Sequence, residues 1–327
     1  MCGYMRGGYR YLKPYLPQWG ITCLKKIFFF LCKIRYDKEI KKRSHLSIFD
    51  YRVLAQDMPL VTREYGYNAF YGLADIVKKI MHFPLNQPLD GVIEHGFCIP
   101  LDDISEIDKP PRNVYVMGKV RQEFLQRKFP NKKIYSIGPY IQYVQPFYSE
   151  YWLIEEKKRL GKTLLVFPSH STHHVTMDFN EKNFLDEIER IRITHEYCTV
   201  LVCLYWKDVL LRLDKKFSNM GYEFVTAGHI YDPNFMPRLK SILLLADVAV
   251  GNSLGTNIGY SIACGVPYYF YDIQTNYVGD LSRGECVNDL DEETMELRRM
   301  ATRYLGDYRE SITVEAESFV RAYWGDW

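Results

Sequence analysis

The stretch ADVAVGNSLGTNIGYSIACGVPYYF, residues 246–270, joins an apolar run to a polar turn and then to a helical pattern. The apolar run 248–251 is typical of a buried strand. Gly265 and Pro267 mark the end of the helical pattern and the start of a second apolar run. The turn itself holds four small or polar residues: Asn252, Ser253, Gly255 and Thr256. The stretch therefore predicts a strand, a polar turn, a short helix and a second strand.

The same alternation extends from residue 161 to residue 272. Apolar runs stand within KTLLVF, YCTVLVCLYW, YEFVTAG, VAVG and VPYYFYD, and a helical pattern separates each run from the next. Continuous apolar strands joined by helices are typical of a parallel sheet that is covered on both faces and connected by right-handed crossovers. Residues 151–288 are therefore predicted to form a Rossmann-like domain.

A smaller unit of the same kind precedes this domain, between residues 46 and 150. The stretches 90–96, 112–118 and 132–140 are predicted strands, and residues 119–129 form a helical pattern between the last two. The predicted fold class is therefore α/β, with two Rossmann-like domains built on parallel sheets.

The first 45 residues differ from the rest of the chain in charge. They carry 11 Lys or Arg against 2 acids, a net charge of +9 within a chain whose total is +2. Residues 19–43 fit an amphipathic basic helix on an anionic membrane surface, with Trp19 and Phe28 to Phe30 in the lipid. They also fit a helix packed on the domain. The apolar run is too short to span a bilayer, and it lacks the cleavage site of a signal peptide.

The composition limits the class of protein. Hydrophobic residues make up 47% of the chain and charged residues 25%, which excludes a disordered chain. The eight cysteines form no C-x-x-C pair, so we expect reduced thiols in a cytoplasmic protein, peripheral to the inner face of the plasma membrane if residues 1–45 bind lipid. Interleaved Phe and Leu in this basic segment suit lipid better than nucleic acid, and no nucleic-acid partner is predicted.

The candidate binding site lies in the loops that follow the predicted strands, because open parallel sheets bind ligands beyond the carboxyl ends of their strands. Unpaired N–H groups at the start of the helix after residue 251 suit an anionic phosphate. Alternatively, Ser253 only caps that helix. The candidate residues lie in three such loops: Ser169, His170, Ser171, Thr172, His173, Gly228, His229, Asn252, Ser253, Gly255 and Thr256.

His170, His173 and His174 raise the alternative of a metal site. Their spacing matches neither the H-E-x-x-H pattern nor a closed structural site, and Asp178 is the nearest carboxylate after them. No metal ion is therefore predicted. We expect these hydroxyls and imidazoles to donate to phosphate oxygens or to hold a sugar.

Glu94 and His95 follow a predicted strand of the smaller unit and are the candidate catalytic residues. A neutral imidazole, with an ordinary pKa of about 6.5, can act as a general base near neutral pH and deprotonate an acceptor hydroxyl across a cleft. His95 is also consistent with a structural histidine. Asp102 and Asp103 are further candidates for the base, or they cap a turn.

Two groups of residues resemble a known family. The segment VYVMG followed by IYSIGPY in the first unit, and ADVAVGNSLGTNIGYSIACGVPYYFYD in the second, are similar to glycosyltransferases of the GT-B fold. The likeness is to bacterial enzymes of surface polysaccharide assembly, which make O-antigen, lipopolysaccharide and capsule. It covers roughly residues 46–327, and the FPSHSTHH loop resembles the first donor-domain loop of such enzymes.

The resemblance implies a nucleotide-sugar donor in the second domain, a glycan or lipid-linked glycan acceptor in the first, and chemistry in a central cleft between them. It implies that residues 289–327 pack back on the first domain and that Gly228 and His229 lie near the base and ribose. Such enzymes usually need no metal or other cofactor. The acid-x6-acid pattern of retaining members is missing around 253–265, which favours an inverting displacement with His95 as base.

Two other functions remain open at the level of the sequence. A sugar-nucleotide 2-epimerase shares the architecture and could use Glu94, His95 and His229 around a sugar. A non-catalytic, membrane-associated binding protein with the same fold is the second alternative. The sequence names neither the sugar nor the nucleotide base.

Overall fold

The computed structural model describes residues 18–97, 112–170, 175–273, 275–279 and 292–327. The elements up to residue 136 are α1 (Gln18–Arg43), α2 (Tyr51–Leu54), α3 (Leu73–Ile80), β1 (Val92–Ile93), β2 (Asn113–Val116), α4 (Lys119–Lys128) and β3 (Lys133–Ser136). Then come α5 (Glu150–Leu160), β4 (Thr163–Phe167), β5 (Val175–Phe179), α6 (Glu181–Thr194), β6 (Thr199–Cys203), α7 (Trp206–Leu210) and β7 (Glu223–Val225). The remaining elements are α8 (Phe235–Leu245), β8 (Val248–Gly251), α9 (Thr256–Ala263), β9 (Tyr268–Phe270), β10 (Thr275–Gly279), α10 (Glu292–Leu305) and α11 (Val314–Trp324).

The first sheet has the strand order β1-β2-β3, and its strands are parallel. Val114 pairs with Val92 on one side and with Ile134 on the other. All three predicted strands of the smaller unit are confirmed, and α4 connects β2 to β3 as the helical pattern predicts.

The second sheet has the order β7-β6-β4-β8-β9, and all its neighbouring strands are parallel. Counted along the chain without β5, this is the order 3-2-1-4-5 of a Rossmann fold. The chain leaves β4 toward one side of the sheet and returns on its other side at β8, so the two central strands form the topological switch point. The prediction of an α/β fold with two parallel sheets is confirmed.

Two parts of the second unit differ from the sequence analysis. The sequence predicts one helical pattern between the runs YCTVLVCLYW and YEFVTAG, but α7 ends at Leu210 and a 3-10 helix spans Leu213–Met220. Arg212 between them has a left-handed backbone, with φ of 62°. The break lets the buried Asp214 accept a hydrogen bond from Arg52 at 2.7 Å. The second difference is an antiparallel pair formed by β5 and β10, for which the sequence analysis assigns no strands.

One apolar core runs through both sheets. Ile93 and Tyr115 of the first sheet belong to the same buried cluster as Leu165 and Phe270 of the second. Every residue of β4 and β8 is buried. Because both faces of these strands are covered, the pairing register at the switch point is fixed by packing.

Helix α11 packs against α4 of the first unit and against α9 of the second. Glycine permits the close approach, since a Cβ at Gly118 would lie 2.1 Å from the backbone oxygen of Tyr323. Gly325, with φ of 102°, lies directly against Gly138 at the end of β3. Residues near the end of α11 therefore cover the carboxyl ends of β2 and β3.

Helix α1 is anchored at its carboxyl end. The buried Arg43 donates to the carbonyl oxygens of Leu54 and Gln56, both at 2.6 Å, and its own carbonyl accepts from Arg238 at 3.0 Å. Tyr36 donates to the carbonyl oxygen of Tyr231 at 3.5 Å. Among the helices described, none combines the length and the low charge needed to cross a bilayer.

Candidate active site

The candidate site lies at the switch point of the second sheet. Ser169 follows β4 and Asn252 follows β8, and the two residues are in direct contact. The Asn252 Oδ1 atom accepts from the main-chain N–H of Ser169 at 2.7 Å and from its hydroxyl at 2.9 Å. Since both residues are buried, this contact joins the two strand ends that a ligand of a Rossmann fold would meet.

The side-chain amide of Asn252 has one group that finds no partner among the described residues. Its Nδ2 atom is buried and makes no hydrogen bond to them, although Oδ1 accepts two. Leaving a buried donor unsatisfied costs about 1–3 kcal/mol, so such donors are rare unless something accepts from them. An acceptor supplied by a ligand would remove this cost.

Helix α9 begins beside this amide. Gly255 is its N-cap residue and has an extended backbone, with φ of −146° and ψ of −178°, and no side chain caps the helix. The alternative that Ser253 acts only as a cap is therefore wrong. The N-terminal N–H groups of an eight-residue helix carry a partial positive charge that suits an anion. Thr256, the first residue of the helix, and Ser253 remain partly exposed at this turn.

Trp324 fixes the turn from the side of α11. Its Nε1–H donates to the carbonyl oxygen of Gly255 at 3.0 Å, and its ring lies so close to Gly259 that a Cβ there would be 2.3 Å away. The same indole stacks on Phe97, with ring centroids 4.0 Å apart. Phe97 is two residues after His95, so Trp324 links the turn of the second unit to the catalytic candidates of the first.

His95 lies in an aromatic cluster. Its ring is half-buried and lies 4.8 Å from that of Tyr67, 5.2 Å from that of Phe70 and 6.4 Å from that of Tyr71, measured between centroids. Three flat side chains thus restrict the orientation of the imidazole. These residues belong to one short segment, 67–71, which the sequence analysis leaves unassigned.

A second imidazole connects to this cluster. The Tyr71 hydroxyl forms a hydrogen bond with the Tyr205 hydroxyl, and the Tyr205 ring lies 4.5 Å from that of His170. Burial raises the pKa of Tyr71 well above its usual value, so this phenol stays protonated. Desolvation lowers the pKa of His170 to about 4, although the residue is exposed to solvent. His170 follows Ser169 and therefore lies at the edge of the switch point, beside Tyr205.

Glu94 does not present a free carboxylate. It is buried, and the Arg121 Nε atom donates to its two oxygens at 2.8 and 3.1 Å. Its carbonyl oxygen accepts from the Tyr140 hydroxyl at 3.0 Å. The prediction that Glu94 is catalytic is therefore corrected: the carboxylate is held in an ion pair, and Glu94 positions the backbone that carries His95.

Gly228 and His229 also differ from their predicted role near the base and ribose. The imidazole is buried, with Nδ1 accepting from the N–H of Tyr231 at 3.2 Å and Nε2 lying 3.5 Å from the Asp57 carboxylate. Gly228 has φ of 105° and lies over the guanidinium of Arg238. Both residues follow β7, an edge strand, and the structure uses them for packing.

Several of the predicted site residues belong to segments outside the described part of the chain. Ser171, Thr172, His173 and His174 lie outside the described residues, as do Asp102 and Asp103. In the part of the chain that is described, no three His, Cys, Asp or Glu side chains form a group able to hold a metal ion.

The sequence analysis misses Trp324, Phe97 and Tyr205. The chain contains 27 Tyr and 18 Phe, so one more aromatic residue does not stand out in the sequence as functional. The partners of these residues are distant along the chain: Gly255 and Trp324 are 69 positions apart. The one available signal is the pair Gly255 and Gly259, since glycines at the start of a helix indicate close approach of another group.

Comparison with known proteins gives little similarity. No family model matches the chain, and no curated protein sequence matches it. Among solved structures, the chain is similar to Phytolacca americana UGT2 complexed with UDP-2fluoro-glucose and pterostilbene, at 14% sequence identity and a TM-score of 0.30. The similarity covers 64% of this chain and 42% of that chain. The chain therefore matches less than half of that protein's length, and the likeness is too slight to support an argument about function.

Proposed function

We propose that the protein is a glycosyltransferase of the GT-B type, which transfers a sugar from a nucleotide-activated donor to a glycan or lipid-linked glycan. The observation that carries this proposal is the buried, unpartnered Nδ2 donor of Asn252, beside the uncapped start of α9 at the switch point. Amide donors at this position of a Rossmann fold suit the phosphates of a nucleotide sugar. Residues 151–288 would hold the donor and residues 46–150 the acceptor.

The proposed chemistry is an inverting displacement. His95 takes the proton of an acceptor hydroxyl, the hydroxyl oxygen bonds to the anomeric carbon, and the bond from that carbon to the donor phosphate breaks. The proton ends on the imidazole and the electron pair on the leaving phosphate. His95 has the right chemistry for a base, and the ring contacts with Tyr67, Phe70 and Tyr71 hold it in one orientation.

The leaving phosphate would be stabilised without a metal ion. The N–H groups at the start of α9 and the Asn252 amide are fixed by packing before the ligand arrives, and preorganised donors are the most effective form of electrostatic stabilisation. Ser169 contributes by holding Asn252 in place through its hydroxyl and its main-chain N–H. Ser171, Thr172 and His173 follow directly in the chain and are proposed to complete the donor site.

The cellular role in this proposal is assembly of a bacterial surface polysaccharide at the cytoplasmic face of the plasma membrane. Helix α1 supports it. Its face with Cys32, Tyr36 and Arg43 packs on the fold, whereas the opposite face is apolar and exposed. Exposed there, with exposed fractions of 55, 62, 45 and 51%, are Ile27, Phe30, Leu31 and Ile34.

This stripe, the α1 apolar stripe, follows the spacing i, i+3, i+4, i+7 of one helix face. Lys38 and Lys41 continue the same face by helical spacing and are exposed. An apolar stripe that ends in lysines is complementary to an anionic lipid surface. The contacts of one face support the interpretation as a helix packed on the domain, and we propose the membrane interpretation for the opposite face.

Ligand binding tests the donor site. We would measure the thermal shift of the full chain with UDP-, GDP-, CDP- and CMP-linked sugars, for the wild type, Asn252→Ala and Asn183→Ala. Asn183 is an exposed residue of α6 and serves as the matched control. We expect one nucleotide class to stabilise the wild type and the control, and its affinity for Asn252→Ala to fall about tenfold, which corresponds to about 1.4 kcal/mol. Absence of binding by all four classes would refute the proposal.

Transfer itself is tested with the nucleotide sugar found in that screen. We expect His95→Gln to bind the donor with the wild-type affinity and to lose transfer to a glycan acceptor. Conversion of the nucleotide sugar without any acceptor would instead identify a 2-epimerase. If the wild type and His95→Gln both bind the donor and neither transfers nor converts it, the protein is a binding protein.

Vesicle flotation tests the membrane surface. We expect the wild type to float with vesicles of mixed phosphatidylcholine and phosphatidylglycerol, and less with phosphatidylcholine alone or at high salt. Phe30→Asp should abolish flotation. Ile193→Asp, on an exposed residue of α6, should not. Equal flotation of the two variants would remove α1 as the docking surface.

A further inference from the structure

A pocket of about 240 Å³ lies away from the switch point, on the side of the first unit. It is formed by α1, α3, the loop residues 60–64 and 85–87, and the pair Tyr231 and Pro233. None of its lining residues belongs to the donor-site candidates. Its volume is below the roughly 300–1,000 Å³ of pockets for drug-sized ligands, so it suits one small ring and not a whole nucleotide.

The charges that line this pocket balance. Lys78 has a side chain only 2% exposed and donates to the Glu64 carboxylate at 2.5 Å. The second Glu64 oxygen accepts from the N–H of Leu89 at 2.9 Å. Arg63 and Asp75 add one charge of each sign at the rim. A balanced lining favours a neutral ligand over an anion or a cation.

The polar, uncharged residues among the lining suit a polyol, and the rest of the uncharged lining is apolar. Thr62, Asn86 and Gln87 offer hydroxyl and amide groups that both donate and accept hydrogen bonds. Tyr36 and Tyr231 add aromatic rings, against which the C–H face of a sugar can pack. Burial raises the pKa of Tyr36 to about 12, with smaller contributions from Asp232, Asp75 and Asp37, so its hydroxyl stays protonated at neutral pH and donates to the carbonyl oxygen of Tyr231.

The pocket is connected to the catalytic candidates through one side chain. Asn68 lines the pocket and is buried. Its Nδ2 donates to the carbonyl oxygen of Gly91 and its Oδ1 accepts from the N–H of Ile93, both at 2.9 Å. Ile93 is the last residue of β1 and precedes Glu94 and His95. The neighbouring residues Tyr67 and Phe70 contact the His95 ring.

We infer that this pocket binds one sugar residue of the acceptor, apart from the sugar that reacts. We assign a sugar as the ligand because the lining charges balance, the polar groups both donate and accept hydrogen bonds, and two tyrosines line the pocket. Its assignment to the acceptor rests on the proposed glycosyl transfer. The pocket holds an acceptor through a residue away from the reacting hydroxyl, and Asn68 ties the pocket wall to the strand that carries His95.

Ligand-observed NMR with free sugars tests the pocket without any assay of transfer. The probes are glucose, galactose, N-acetylglucosamine and N-acetylmannosamine, each at about 10 mM, because a small polar ligand with few contacts binds weakly. We expect saturation transfer from the full wild-type chain to at least one probe. No transfer to any of the four would overturn the inference.

Variants then locate the binding. Asn86→Trp places a large ring at the exposed rim of the pocket, and Asp75→Asn removes a charged acceptor that is 60% exposed. We expect the first to abolish the signal and the second to weaken binding about threefold to tenfold, since a hydrogen bond to a charged group is lost. The matched controls are Gln126→Trp on α4 and Asp307→Asn, both exposed and outside the pocket. A signal that Asn86→Trp leaves unchanged would overturn the inference.

The donor screen separates this result from the proposed function. If a free sugar binds in the pocket but no nucleotide sugar binds to the chain, the sugar site is supported. Its assignment to a glycosyl acceptor is then overturned. Donor binding together with no sugar binding would sustain the proposed transferase and remove the pocket.

Discussion

Each sheet has a strand that leads into a helix through a capping glycine, after a turn of two residues in the first sheet and of four in the second, and the two turns are used differently. In the first sheet, Gly118 caps α4 with an extended backbone and no side-chain cap, as Gly255 does for α9 in the second. A Cβ at Gly118 would meet the backbone of Tyr323 at 2.1 Å. At Gly255, the nearest atom would be the tip of the Asn257 side chain, at 2.8 Å.

The buried polar side chains at the two turns also differ in whether they have a hydrogen-bond partner. At the first, the Glu94 carboxylate is neutralised by Arg121 from the first turn of α4. At the second, the Nδ2 group of Asn252 has no partner in the part of the chain that the structure describes. Two strand-helix junctions with the same glycine cap thus become a closed structural turn or a candidate ligand site, according to whether the described residues satisfy their polar groups. Five substitutions test this contrast.

The largest effect is expected for Glu94→Gln. Breaking a buried ion pair leaves one charge uncompensated and costs about 3–5 kcal/mol of the free energy of unfolding. Glu317→Gln, in the exposed pair with Arg321 on α11, should cost less than about 1 kcal/mol. Urea denaturation monitored by circular dichroism gives both values. Similar losses in the two variants would show that the first turn is not closed by this pair.

Replacement of each capping glycine by alanine compares the two turns directly. We expect Gly118→Ala to lower the free energy of unfolding by about 1–3 kcal/mol, because the new Cβ forces α11 away from α4. Gly255→Ala should lose less, since the Asn257 side chain can move, but it should weaken binding of the nucleotide sugar. Denaturation and thermal-shift titrations measure the two properties. Equal stability losses would remove the distinction between a closed and an open turn.

Trp324→Phe keeps an aromatic ring against Phe97 and removes the N–H that holds Gly255. We expect a loss of about 1 kcal/mol in the free energy of unfolding, the usual contribution of one hydrogen bond. Donor affinity should also fall, because the carbonyl group of Gly255 is no longer fixed. Trp152→Phe, in a residue that stacks on Tyr148 away from both turns, is the control. Unchanged donor affinity in Trp324→Phe would show that the indole has only a packing role.

The smallest effect is expected for Ser169→Ala. The Asn252 Oδ1 atom loses the hydroxyl donor at 2.9 Å but keeps the main-chain N–H at 2.7 Å. We expect a loss of about 0.5 kcal/mol in stability, at the low end for a hydrogen bond. The midpoint of urea denaturation measures it. A loss as large as that of Glu94→Gln would mean that Ser169 supports more of the switch point than this contact.

The sequence predicts the parallel sheets because their strands are continuous apolar runs, a local property. It also predicts that Gly265 marks the end of α9, and this glycine follows the helix with φ of 76°. It places Ser169 and Asn252 at the same edge of the sheet, because the carboxyl ends of parallel strands share one edge.

The contacts that give each turn its role are nonlocal, so the sequence does not reveal them. Glu94 and Arg121 are 27 residues apart, and Ser169 and Asn252 are 83 apart. The same limit explains His229, which stands after a strand like the other candidates. Its ring is buried at 4.2 Å from that of Trp206, a neighbour that only the tertiary fold supplies. A position directly after a strand thus identifies a candidate binding residue, but it does not show whether the side chain is accessible to a ligand.

The location of α11 restricts how the two sheets can move. Its last turn contacts Gly118 of the first unit and Gly255 of the second. A hinge rotation that separated the sheets would have to strip the buried indole of Trp324 from Phe97 or from Gly259, exposing a large aromatic surface to water. Entry and departure of small molecules would therefore proceed with the spacing between the sheets preserved, through local rearrangement of side chains and not through a clamshell opening.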